Sequence, residues 1–123
     1  MNSFTDELLV ESQGNAWILK RAFHFYYIDE VGGQINVVVP EKFITDFVST
    51  PKILYSFFPP MGIYNKAAIL HDYLYSKDCP IFLERVKADK FFLQAMEVLQ
   101  VPKWQRKLMY FAVRIFGKKY FRV

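Results

Sequence analysis

The sequence predicts an α+β domain in which an N-terminal β-hairpin or small antiparallel sheet packs on three helices. Three observations predict it. Residues Trp17 to Ile28 form a run dense in aromatic and β-branched side chains, and Ile35 to Val39 return after a Gly-Gly turn. Residues 62–75, 81–99 and 101–117 then carry the 3.6-residue apolar period of helices. Between these regions, Pro, Gly, Ser and Asp punctuate the chain in short clusters.

Residues 1–15 read as a polar lead-in, with a short helical turn expected around Thr5 to Val10 and a close at Gly14-Asn15. Residues 16–45 are the hairpin part. Trp17, Leu19, Phe23, Phe25 and Tyr27 fall on one side of a single strand, and Lys20, His24 and Tyr26 on the other. His24 on that polar side reads as a surface histidine. Asp29 to Gln34 form the turn, Gly32-Gly33 supplying positive φ. Pro40 stops the returning strand, and a third short strand can begin within Glu41 to Thr45.

Residues 49–121 read as the helical part of one domain spanning 1–123. Ser49 or Thr50 before Pro51 suits a short helix that ends at Pro59-Pro60. In the next helix, Ile63, Ala67, Leu70 and Leu74 mark the apolar stripe, with His71 in or beside it. A break at residues 76–80 precedes a helix that starts between Ile81 and Arg85 and runs to Leu99. There Val86, Leu93 and Met96 mark the stripe, and Asp89 falls inside it. The last helix starts at Val101-Pro102 and stops near Gly117, with an apolar stripe of Trp104, Leu108, Phe111 and Ile115.

A carboxylate on the buried face of a helix is costly unless it is paired. His71 on the neighbouring helix is the obvious partner for Asp89. An imidazole oriented by a buried carboxylate is a common general base. The same contact equally suits a structural bond that pins two helices. Asp46 has two readings: a turn residue bonding nearby amides, or a third carboxylate reaching toward His71. Gly62, in the elbow Pro59-Pro60-Met61-Gly62, belongs to a loop whose carbonyls could serve a hard cation.

Composition narrows the classes. At 123 residues, 53% hydrophobic and 19% aromatic, the chain has enough apolar mass for a core and some to spare for a partner or lipid. The single cysteine, Cys79, permits no internal disulfide, which fits a reducing compartment, and reads as an ordinary loop residue. The first residues carry acids where an export signal needs bases, and no apolar run reaches transmembrane length. The net charge of +4 is uneven: residues 101–123 hold seven basic side chains and no acid, so the first hundred residues sum to −3. Lys103, Lys107, Arg114 and Lys118 share one face of the last helix, beside Trp104. That face suits an anionic membrane or a protein partner; alternatively the stripe is core and the basic side merely solvated. There is no internal repeat, Gly-rich phosphate loop or Cys/His metal cluster, and no specific nucleic-acid signal.

Two resemblances follow from these residues. Thr45-Asp46-Phe47-Val48-Ser49-Thr50-Pro51, Phe58-Pro59-Pro60, Ala67 to Tyr75, Ala88 to Phe92 and Met109 to Gly117 occur in order over residues 35–117. In this the chain resembles the phage and prophage domain-of-unknown-function family 1353, which implies a phage or prophage origin in the host cytoplasm or the virion. More narrowly, Ala67-Ala68-x-x-His71-Asp72-x-x-Tyr75 followed by Ala88-Asp89-x-x-Phe92 resembles the active-site helices of phospholipase A2, the parvoviral version above all. That resemblance implies a phospholipase A2-like helical core and a membrane-associated hydrolase acting on phospholipid esters. His71 would activate water, Asp89 orient the His71 ring, Tyr75 support Asp89, and Asp72 bind Ca²⁺. Where phospholipases carry a glycine-rich calcium loop, this chain has Phe57 to Gly62 with one glycine. The alternative is a non-catalytic virion or host-factor-binding protein whose His–Asp pair is structural.

Overall fold

The computed structural model describes residues 3–14, 16–28, 31–45, 65–77, 79–80 and 83–121. These residues form an α+β arrangement of two three-stranded antiparallel sheets and three helices. The expected helix after Pro51, the Pro59-Pro60 elbow, Asp46 and Gly62 lie outside the described residues.

The lead-in contains two strands instead of a helical turn: β1, Ser3–Thr5, and β2, Val10–Gln13. Non-local pairing overrides the weak local preference. Phe4 pairs with Phe25 across the ladder, and its ring packs 4.8 Å from that of Phe25 and 5.8 Å from that of Phe23. Asp6, at φ 74°, turns the chain away after β1.

The run expected as one strand is two: β3, Ala16–Leu19, and β4, Phe23–Ile28. They belong to different sheets, in strand order β2-β3-β6 and β1-β4-β5. The break lies at Lys20-Arg21: Lys20 N–H still bonds Leu9 O in the register of the β2–β3 ladder, whereas from Phe23 the chain pairs with β1 and β5. Leu19 and Phe23 flank the bend and are both fully buried, so the bend keeps the apolar side turned inward. The hairpin itself is present. β4 pairs with β5, Gln34–Val39, from Phe23↔Val39 to Ile28↔Gln34. Gly32 in its turn has φ 86°, a conformation that L side chains rarely adopt. The third short strand is β6, Ile44–Thr45, paired with β3.

The helices are α1, Asn65–Tyr75, α2, Arg85–Val98, and α3, Lys103–Phe116. In α1, the predicted Ala67, Leu70 and Leu74 are fully buried, and Ile69 joins them. In α2 the buried stripe is Ala88, Asp89, Phe92, Ala95 and Met96. Val86, expected in it, is 43% exposed, because the face turned to α1 lies well around the helix from that position. Gln100, at φ 61°, ends α2. Val101 N–H reaches back to Met96 O at 3.0 Å and Gln100 N–H to Glu97 O at 3.0 Å. This is a Schellman stop, sealed by the buried Val101 and Met96, and it sets the angle at which α3 departs. Cys79 lies in the α1–α2 connection, as expected, and its side chain is buried there without a disulfide.

The last helix differs most from expectation. Its buried residues are Met109 and Ala112. The apolar stripe lies outside: Trp104 is 63%, Leu108 41%, Phe111 59% and Ile115 69% exposed. The reading of that stripe as core is therefore corrected. α3 packs against α2 and buries Met109 and Ala112, which lie on a face beside that stripe.

Candidate active site at the junction of the three helices

One turn of α1 separates His71 from Tyr75, so both side chains point to the same neighbour. One turn of α2 likewise separates Arg85 from Asp89. These two turns face each other, and the C-terminal turns of α3 close the third side. At the centre is Asp89, with no exposed surface.

Both Asp89 oxygens are engaged. Oδ1 bonds His71 Nε2 at 2.7 Å and accepts the Tyr75 hydroxyl at 2.5 Å. Oδ2 accepts Arg114 Nη1 at 2.7 Å. Arg85 Nη1 stands 3.5 Å from the same oxygen, an ion pair rather than a well-made hydrogen bond. Arg85 makes its better bonds to α3 carbonyls, with Nη1 3.1 Å from Val113 O and Nη2 3.3 Å from Arg114 O. Its charge thereby meets the negative end of α3. The imidazole is further clamped between rings, 4.2 Å from that of Tyr75 and 4.7 Å from that of Phe92.

The charge states follow from these contacts. Burial pushes the Asp89 carboxyl up, but the hydrogen bonds from His71, Tyr75 and Arg114 outweigh it and hold the group below the ordinary carboxylate value. The Tyr75 phenol is pushed well up, first by burial and then by its bond to the Asp89 carboxylate, so it stays a donor. The Arg114 guanidinium is held charged, chiefly by its bond to Asp89. An ionised Asp89 only accepts, so His71 Nε2 carries the proton between them. In the neutral ring Nδ1 is then the lone-pair nitrogen. Nδ1 makes no hydrogen bond with any described residue, and the His71 side chain is 12% exposed. An oriented imidazole of this kind, partly open to solvent, can take a proton from water at its lone-pair nitrogen.

Gly117 gives this junction room. A Cβ there would lie 2.6 Å from the Tyr75 hydroxyl, so any larger residue would displace the phenol that holds Asp89.

His71 and Asp89 therefore meet, as their spacing suggested, and Tyr75 bonds Asp89, as the phospholipase A2 resemblance implied. Asp72, the next residue on α1, points elsewhere, and its Oδ2 accepts the hydroxyl of the buried Thr45 at 2.6 Å. A calcium shell takes six to eight oxygens. Among the described residues no group of three or more His, Cys, Asp or Glu could hold a metal ion. The Pro59 to Gly62 elbow, whose carbonyls were expected to serve a cation, lies outside the described residues. His24 is on the surface as expected, with Nδ1 3.1 Å from Asp6 Oδ2. Lys103, Lys107 and Lys118 are exposed. Arg114, grouped with them by helical spacing, is turned inward onto Asp89, which corrects its place on the basic surface.

Sequence reasoning missed Arg85, Arg114 and Thr45. The Arg85–Asp89 spacing of four on one helix was a readable signal. Arg114 had none, because its contact depends on how α3 is rotated. Thr45 had none, because it reaches Asp72 from a separate strand.

The fold and site define an α+β protein whose three helices meet on a buried His–Asp–Tyr–Arg cluster. Residues 17–113 match the model of the family described as "Protein of unknown function (DUF1353)". The chain belongs to that family, and the match takes in both the His71 and the Asp89 helices. No curated protein and no solved structure matches it.

Proposed function

We propose that the chain is a phage- or prophage-encoded hydrolase of the phospholipase A2 type, acting on an ester at a membrane. One observation carries this reading: the 2.7 Å contact of His71 Nε2 with the ionised, fully buried Asp89, which leaves Nδ1 as the basic nitrogen. His71 takes a proton from water at Nδ1, and the water oxygen attacks the ester carbonyl carbon. As the tetrahedral adduct collapses, the ester C–O bond breaks and the leaving alkoxide takes the proton back from Nδ1. Asp89 balances the transient imidazolium, and Tyr75 and Arg114 keep Asp89 ionised and in place. No step is assigned to Ca²⁺, since the elbow expected to supply its carbonyl ligands lies outside the described residues. Such a protein would work in the host cytoplasm or in the virion.

A second reading is favoured by a different observation. Asp89 is bonded by side chains from α1 and α3 as well as by its own helix, which is also how a structural pin is built. On that reading the chain is a non-catalytic virion component or a binder of a host factor.

Fatty-acid release from phosphatidylglycerol vesicles separates the two, with and without added Ca²⁺. The hydrolase reading expects release by the wild-type chain and a fall of about two to four orders of magnitude in His71→Ala. No release by a well-folded wild type with any divalent cation would rule out lipid hydrolysis. A loss of stability in His71→Ala with no activity to lose would support the pin.

A further inference from the structure

We infer that the outer face of α3 is a docking surface for anionic lipid, on which the protein lies without crossing the bilayer. This deepens the reading above by naming the surface that meets the membrane, and rests on it for the link to lipid.

The face is built from exposed residues. Trp104, Phe111 and Ile115 are each more than half exposed, and Leu108 and Phe116 are 41% and 44% exposed. Single exposed apolar side chains are ordinary, but these stand within one turn of each other along the helix. Lys103, Lys107 and Lys118 are exposed along one flank of the stripe. From residue 101 to the end the chain has no acid at all. The fourth basic residue of that face, Arg114, is held inward by Asp89, so the flank is lysine only. Lysine stems lie along apolar surface while their ammonium groups reach outward.

Charge decides among the occupants. A second copy would set lysines against lysines with no carboxylate on the face to answer them. An acidic partner is therefore required. The stripe is also a ridge on one helix about 21 Å long, and a headgroup layer accepts a ridge that a protein could take only with a matching groove. A basic helix with Trp and Phe on its apolar side lies in the interfacial plane of anionic membranes. Among the described residues no helix is long and apolar enough to cross one.

The test is flotation of the full chain with phosphatidylglycerol or phosphatidylcholine vesicles, together with Trp emission in a Trp17→Phe background, where Trp104 is the reporter. The protein should float with phosphatidylglycerol and not with phosphatidylcholine, and Trp104 emission should shift to the blue. Replacing Lys103, Lys107 and Lys118 with Gln should weaken binding on the order of a hundredfold. Phe111→Ser with Ile115→Ser should abolish it without moving the urea midpoint. His71→Ala should bind as the wild type does. Vesicle binding without hydrolysis would overturn the proposed activity and leave this surface standing. Failure of the folded chain to float with phosphatidylglycerol would overturn the surface. So would binding that both sets of substitutions leave intact, a dimer that Phe111→Ser dissolves, or tighter binding to polyglutamate than to lipid.

Discussion

The junction of the three helices and the outer face of α3 are a helix-width apart, and they invert the usual placement of side chains. At the junction a carboxylate with no exposed surface is held by two guanidinium groups, a phenol and an imidazole. On the outer face a tryptophan, a phenylalanine and an isoleucine stand in solvent, each more than half exposed. One helix produces both, because its rotation turns Arg114 inward and Trp104 outward. Buried charge of this kind is tolerated only when it is fully bonded, and it then couples every element that contributes a donor. An exposed apolar stripe costs the fold little but needs a partner to account for it. The junction should therefore govern stability, and the outer face should govern association.

The largest expected effect breaks the junction. Asp89→Ala should destabilise the protein by about 3–5 kcal/mol, since two guanidinium groups and a histidine lose the charge that they face. Urea unfolding measures this, and a loss no greater than that of Phe111→Ser would dissolve the contrast. Gly117→Ala comes next. Its Cβ would fall 2.6 Å from the Tyr75 hydroxyl, and overpacking of this kind costs about 1–3 kcal/mol. Arg114→Gln should cost about 1.5 kcal/mol, the low end for a bond to a charged group, because the Arg114 side chain is still 31% exposed. Lys107→Gln, two turns earlier on the same helix, is the matched control. It should shift stability by under about 0.5 kcal/mol, as should Phe111→Ser.

The pH dependence sharpens the same division. Asp89 is held below its ordinary value in the fold, so the unfolded chain takes up a proton there first. Its contribution is present above about pH 4 and is lost as the pH falls through the folded value. Tyr75 is shifted the other way, so its contribution is complete below about pH 10 and is lost as the pH rises beyond it. Urea midpoints across this range should fall at both ends. The acid fall should be smaller in Asp89→Asn, and the alkaline fall smaller in Tyr75→Phe. Lysine-to-glutamine changes on the outer face should leave both limbs in place.

Much of the inner arrangement was legible in the sequence. The 3.6-residue period placed His71 in or beside the apolar stripe of α1 and Asp89 inside that of α2, and the resemblance to phospholipase A2 added Tyr75. The cost of burying a lone carboxylate then pointed to His71 as the partner of Asp89. What was not legible depended on relations between distant elements. Trp17 to Ile28 reads as one strand because its residues suit a strand, and only the change of partners, from β2 and β6 before Lys20 to β1 and β5 after Arg21, shows that it breaks there. β1 was hidden because its stability comes from Phe4 packing on β4, not from its own composition. The stripe on α3 was plain, but amphipathicity says only that a face will be covered, not by what. The depth of Arg114 was invisible for the same reason, since helical spacing groups it with Lys103 and Lys107 while the packing of α3 separates them.

The measurement that bears most directly on the account is the nitrogen-15 spectrum of the His71 ring in the folded protein, assigned through loss of its signal in His71→Gln. The account predicts that the neutral ring carries its proton on Nε2, bonded to Asp89, with Nδ1 showing the shift of a bare lone pair. Replacing Asp89 with Asn should disturb that preference. A neutral ring protonated on Nδ1, or one averaging freely between tautomers and indifferent to Asp89, would contradict it.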